Sequence, residues 1–252
     1  MSAPTTGRLI VATPPELVIH DAPSPCPYLD ERVARLPLRL PVRALSRQEF
    51  ENRLEVGDRR QGLLLYRTAC PSCNACEPIR IDVDAFAPGR SQRRVFRRGE
   101  RELTCEVGRL EPTLEKVNLY NRHKFGRGLS SGEHPIDLDG YRAFLGESCC
   151  DTFELRYRLG KRLVGVAIVD RGERSLSAVY CYFDPALPEL GIGTYSILKQ
   201  VALCRGWGLK WLYLGLYIGE CASMAYKSRF LPHERLLGDR WVSVEREPDP
   251  AR

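Results

Sequence analysis

Prolines interrupt the first 110 residues so often that no long helix fits there. Pro14, Pro15, Pro23, Pro25, Pro27, Pro37, Pro41, Pro71, Pro78 and Pro88 each remove a backbone donor and fix φ. Short strands over 62–66 and 78–83 and one helix over 46–54 are what this stretch allows. Beyond residue 110 the pattern changes. Helical spacing over 111–124 and 138–146 precedes three β-rich runs, 152–159, 163–169 and 176–183, joined by short turns. Gly191-Ile192-Gly193 then leads into a helix over 194–204, a strand over 211–216, a helix over 222–230 and a last strand around Trp241. The order α, α, β, β, β, α, β, α, β predicts an α+β chain, with a smaller Cys- and Pro-rich region at 1–110 and a larger one at 111–252.

The chain has 252 residues, 43% apolar and 28% charged, which suits one sizeable core or two modest ones. No stretch approaches the roughly 20 apolar residues of a membrane-spanning helix, so a cytoplasmic protein with no membrane partner is expected. The formal net charge of +6 permits an anionic partner.

Ten cysteines in a chain of this length do not have the spacing of a secreted disulfide framework, and they are expected to be reduced. Cys70, Cys73 and Cys76 repeat at three-residue steps, a spacing that lets thiolates converge on one metal or cluster, with Cys26 available as the fourth ligand. The competing reading is a compact loop of reduced thiols. Arg90, Arg93, Arg94, Arg97, Arg98 and Arg101 fall within twelve residues. On a helix, Arg90, Arg94, Arg97 and Arg101 share one face, and Arg90, Arg93, Arg94 and Arg97 are the candidate phosphate contacts, against a merely solvated face.

The layout of the second region is that of a GNAT-type acyltransferase, in which a glycine-rich turn feeds a helix whose N-terminus can hold an anionic donor. More specific segments follow in order: Cys26-Pro27-Tyr28-Leu29, Tyr66-Arg67, the cysteine cluster, Pro78-Ile79-Arg80 and Arg90-Ser91-Gln92-Arg93-Arg94. The second half adds Tyr120, Arg122-His123, Leu176 to Tyr180, Phe183-Asp184-Pro185, Gly193-Thr194-Tyr195, Tyr213-Leu214-Gly215, Tyr217-Ile218 and Tyr226-Lys227. From Cys26 to Trp241 the chain resembles the aminoacyl-tRNA–protein transferases of the arginyl/leucyl-transferase family, and its compact length is similar to the bacterial, leucyl-transferring branch.

The resemblance implies transfer of leucine from leucyl-tRNA to the N-terminal Asp or Glu of acceptor proteins, which marks them for the N-degron protease machinery. Transfer of arginine from arginyl-tRNA is the alternative. A CoA-dependent N-acetyltransferase is disfavoured, since Glu189 stands where a donor phosphate would be held. Transfer from an ester to an amine needs no cofactor, although relatives imply an iron–sulfur cluster, and zinc also suits the cysteines. The reaction needs oxyanion donors, a route for the proton and a cation for the acceptor carboxylate. Tyr180, Asp184, Tyr195 and His123 are the candidates for catalysis. Arg67, Arg80, Tyr213, Tyr217 and Lys227 are the candidates for substrate binding. Each has a plainer alternative: buried tyrosines satisfying one hydroxyl, a hydrogen-bonded histidine, arginines paired with Asp82 or Asp84.

Overall fold

A computed structural model describes residues 7–130 and 134–245. The first part of the chain gives β1 (Arg8–Ile10), β2 (Glu16–His20), β3 (Pro23–Pro25), β4 (Val33–Arg35), β5 (Leu38–Pro41), α1 (Arg47–Glu55), β6 (Arg59–Gln61), β7 (Leu64–Tyr66), β8 (Glu77–Asp82), α2 (Arg90–Glu102) and β9 (Thr104–Arg109). The second part gives α3 (Leu114–Gly126), α4 (Leu138–Tyr141), β10 (Thr152–Leu159), β11 (Arg162–Arg171), β12 (Ser175–Phe183), α5 (Ile192–Gly206), β13 (Trp211–Tyr217), α6 (Ala222–Ala225), β14 (His233–Leu237) and β15 (Arg240–Val244). Three expected elements differ. The helix over 138–146 is α4 followed by a π-turn at Arg142–Gly146. The helix over 222–230 breaks after four residues into a 3-10 turn at Tyr226–Arg229, and the last strand is one half of a hairpin with β14.

An eight-stranded sheet in the order β15-β14-β8-β13-β12-β11-β10-β9 carries the fold. Its pairs are antiparallel except β12–β13, a parallel pair linked by α5, which is the acyltransferase layout that the element order implies. β8 and β9 both precede residue 110, so the division expected there runs through this sheet. β8 lies between β13 and β14. The remainder of the first region forms a five-stranded sheet, β1-β2-β5-β7-β6, and the β3–β4 ribbon.

Apolar faces explain the layering. α2 and α5 cover one face, where Phe86, Leu198 and Val201 meet Leu155, Val164, Leu212 and Leu214. α3 and α4 cover part of the other, bringing Tyr120, Tyr141 and Leu145 against Val166, Ile168 and Tyr182. β11, buried from Leu163 to Asp170, reads as an unbroken apolar run because both its faces are covered. Beside α3 and α4, α1 and β7 place Phe50, Leu54 and Leu65 on Trp211 and Tyr213. α1 starts at a capping box, with the Glu49 N–H donating to Ser46 Oγ and the Ser46 N–H to the Glu49 carboxylate. Buried polar bonds fix the two regions together: Arg60 donates twice to Asp170, at 2.7 and 2.8 Å, and Ser175 Oγ donates to Glu51 at 2.6 Å.

Candidate active site

Strands β12 and β13 pair only at Ser175–Trp211, Leu176–Leu212 and Ser177–Tyr213 and then part. Two irregularities bend them away from each other. The register of β12 on β11 shifts opposite Ile168 and Val169, and that of β13 on β8 shifts between Tyr213 and Leu216. Gly215 sits inside the second with φ +86°, a conformation that glycine adopts without strain. The result is a crevice beyond the carboxyl ends of two adjacent parallel strands, the place where open sheets of this kind bind ligands. Among the described residues, the edge of β12 that faces away from β11 has no strand partner along 178–182, which leaves backbone groups for a substrate to meet.

Two cations meet at Gly215. A Cβ built there would lie 3.4 Å from a guanidinium nitrogen of Arg59 and 3.7 Å from Lys227 Nζ. Arg59 comes from β6 and Lys227 from the turn after α6, and each is only 7% exposed. Among the described residues neither makes an ion pair. Arg59 donates to Ser177 Oγ at 3.2 Å, and Lys227 donates to the Leu216 carbonyl at 2.5 Å and to Met224 Sδ at 3.1 Å. The Asp170 carboxylate influences Arg59 but is already bonded to Arg60 and Thr152. Burial, and next the charge of Arg59, lowers Lys227 to about 7. Burial likewise lowers the pKa of Arg59. Tyr66, Tyr28 and Cys76 adjoin the pair, and burial raises all three, Cys76 to about 12. Buried charges without counterions are costly unless a ligand supplies them.

Of the residues expected to act, Lys227 is in the crevice and Tyr180 is on the unpaired stretch of β12, half-buried, with its ring 5.9 Å from Tyr120 and 5.8 Å from Phe144. Tyr217 ends β13, half-buried under the Arg235 guanidinium at 4.5 Å. The others are engaged elsewhere. Tyr195 is fully buried on the opposite face, where it donates to Glu100 at 2.7 Å and its ring takes the space left by Gly99. Asp184 is buried, accepting from Arg162 and from the Ala186 N–H. His123 is 2% exposed, its Nδ1 lies 3.0 Å from the Phe183 carbonyl oxygen and 3.1 Å from the Phe183 nitrogen, and burial lowers it to about 4, so it is neutral near pH 7. Arg80 bonds Glu234 and the Tyr213 hydroxyl and lies between the Trp211 and Trp241 rings, at 3.8 and 4.1 Å, so it and Tyr213 already have partners within the sheet. Arg67 is exposed and donates to the Val56 carbonyl. Sequence reasoning missed Arg59. Its one signal is its place between Asp58 and Arg60, where strand alternation turns neighbouring side chains to opposite faces.

The arginine run forms α2, and Arg90, Arg93, Arg94 and Arg97 are exposed on it. Arg93 donates to the Pro88 carbonyl, and among the described residues Arg90, Arg94 and Arg97 make no ion pair. Cys26, Cys70, Cys73 and Cys76 are half-buried neighbours, and the other three, with Cys221, add to the burial that raises Cys76. Among the described residues, however, no three His, Cys, Asp or Glu side chains converge as ligands of one metal ion, so the arrangement of the thiols does not fit a formed metal site.

Residues 115–237 match the family described as arginine-tRNA-protein transferase, C terminus, and residues 24–94 match its N terminus. An aspartate/glutamate leucyltransferase of Gluconacetobacter diazotrophicus is 37% identical over 238 residues, 94% of this chain and 91% of that protein. One from Chromobacterium violaceum is 38% identical over 223 residues, 88% of this chain and 92% of that protein. Among solved structures, L-PGS from Bacillus licheniformis has a TM-score of 0.44 at 15% identity, over 68% of this chain and 50% of that one.

Proposed function

The chain belongs to the arginine-tRNA-protein transferase family and is an aminoacyl-tRNA–protein transferase, and from that premise we propose that its donor is leucyl-tRNA and its acceptor the N-terminal Asp or Glu of a protein. Leucine rather than arginine is favoured by the names of its relatives. Cytoplasm, where charged tRNA and the N-degron protease machinery would meet it, is the compartment this reading requires. Among the described residues no helix is long and apolar enough to cross a membrane.

The acceptor α-amine attacks the carbonyl carbon of the aminoacyl ester, the amide C–N bond forms, the ester C–O bond breaks, and the ribose oxygen leaves with the proton the amine loses. Much of the acceleration can come from holding ester and amine together, since the amine, with a pKa of about 7.7 to 8.0, is partly neutral near pH 7. The observation that carries the reading is the crevice between β12 and β13, which joins an unpaired strand edge to uncompensated positive charge. Backbone amides on this edge of β12 suit the charge of the tetrahedral oxyanion. The exposed arginines of α2 suit the phosphates of tRNA. No cofactor is needed for these steps.

Mass spectrometry after incubation with leucyl-tRNA and peptides beginning with Asp, Glu, Asn or Lys tests the proposal. A leucine added to the first two alone is expected. Transfer from arginyl-tRNA only, or acetyl transfer from acetyl-CoA, would overturn it.

A further inference from the structure

We propose that Arg59, seconded by Lys227, is the subsite for the side-chain carboxylate of the acceptor's first residue, and that Arg59 separates Asp and Glu from Asn and Gln. The assignment rests on the transferase reading above for the identity of the acceptor. The geometry supplies the rest. An arginine cannot shed its proton near neutral pH, so the guanidinium of a residue only 7% exposed must find an anion or bear the cost of desolvation. Among the described residues the chain provides no such anion: Asp170 is bonded to Arg60, and Asp58 is turned to Arg39 at 2.7 Å. The second cation, Lys227, approaches the same glycine, where the three atoms nearest to a Cβ all belong to Arg59 and Lys227. A carboxylate entering there would meet both. The burial that lowers Lys227 would be partly relieved by that charge.

The depth of the two cations selects the anion. Both are buried, beside Tyr28, Tyr66 and Cys76, whereas the arginines of α2 present charge on the surface, as a phosphate backbone requires. A one- or two-carbon stem would bring a carboxylate to them with its α-amine near the edge of β12. An amide of the same shape presents an NH2 group to a guanidinium and leaves the cation unpaired, which is how a buried polar site rejects a close analogue.

The experiment compares the wild type with Arg59→Gln, using Asp-Ala-Ala and Asn-Ala-Ala peptides, in two readouts: kcat/KM for leucyl transfer, and peptide binding by calorimetry without tRNA. The wild type is expected to prefer the Asp peptide in both. Arg59→Gln should reduce that preference by about one to two orders of magnitude with the KM for leucyl-tRNA unchanged. Lys227→Gln should reduce it in the same direction, and serves where Arg59→Gln fails to fold. Equal loss for both peptides, or a raised KM for leucyl-tRNA with the preference intact, would overturn the assignment, the latter giving the cations to tRNA phosphate. A wild type that transfers nothing yet binds the Asp peptide through Arg59 would remove the transferase reading and keep the subsite. A wild type that transfers leucine with a preference indifferent to Arg59 would do the opposite.

Discussion

Replacing Lys227 by Met should make the protein more stable at neutral pH. The side chain is buried, and its ammonium is lowered from its usual 10.5 to about 7, first by burial and then by Arg59. Between those two values the unfolded chain binds a proton that the folded chain does not, so stability rises with pH across that window and the penalty is full below about 7. At pH 7 the penalty amounts to about 4 kcal/mol, and at pH 9 to about 2 kcal/mol. Met keeps most of the buried stem, beside Met224, but leaves the Leu216 carbonyl without its donor, a loss of about 1–3 kcal/mol. The balance is a gain of about 2 kcal/mol at pH 7, or roughly 4–8 °C in Tm for a chain of this size, fading to nothing near pH 9. Denaturant unfolding of wild type and variant from pH 6.5 to 9.5 measures it, with Arg59, Cys76 and Cys221, the other groups beside Lys227, common to both proteins. Parallel stability curves, or a variant less stable at pH 7, would refute the reasoning. A gain in stability accompanied by loss of transfer is the trade expected of a group retained for function.

Three further outcomes are expected. Changing Arg94 and Arg97 to Gln should weaken charged and uncharged tRNA alike and reduce the salt slope of binding by about one for each phosphate no longer neutralised, which a titration across salt concentrations reads directly. Changing His123 to Gln should leave the pH profile of transfer between 6 and 8 unaltered. Its pKa falls from 6.5 to about 4 on folding, so the wild type should lose about 3 kcal/mol as pH drops through that window, and the variant's unfolding curves should lack that dependence. Chelation of any bound metal under anaerobic conditions should leave the rate of leucyl transfer unchanged, since the steps in the crevice call on no metal; a rate that falls with metal content would tie the thiol cluster to the reaction.

Local chemistry made much of the fold legible. The β-rich runs match β10, β11 and β12 nearly to their ends, because each element announces itself over its own length, and the arginine run, read as a helix only conditionally, is α2. The seat of β8 did not follow from sequence. Its span over Glu77–Asp82 reads as a strand, yet nothing local says that it separates β13 from the β14–β15 hairpin, a consequence of long-range pairing alone. The broken helix after Cys221 escaped for a related reason. Periodicity continues through Lys227, while the Leu216 carbonyl and the wall of the crevice decide where that residue must stand.

Asp58, Arg59 and Arg60 show why the site was harder to read than the fold. Three consecutive charges read as a solvated turn, but the first is bonded to Arg39 inside the five-stranded sheet and the third crosses to Asp170 on β11. Only the middle one lacks an anion among the described residues, because its strand neighbours already hold the nearby partners. Arg80, flanked by chemistry equally suited to a substrate, proves the reverse case: its carboxylate and its aromatic faces all come from distant segments, Glu234, Trp211 and Trp241. An arginine's availability is thus set by which remote carboxylate the fold delivers to it. Among the described residues the fold delivers none to Arg59 or Lys227, and that shortage of negative charge, rather than any motif, is what the proposed acceptor subsite rests on.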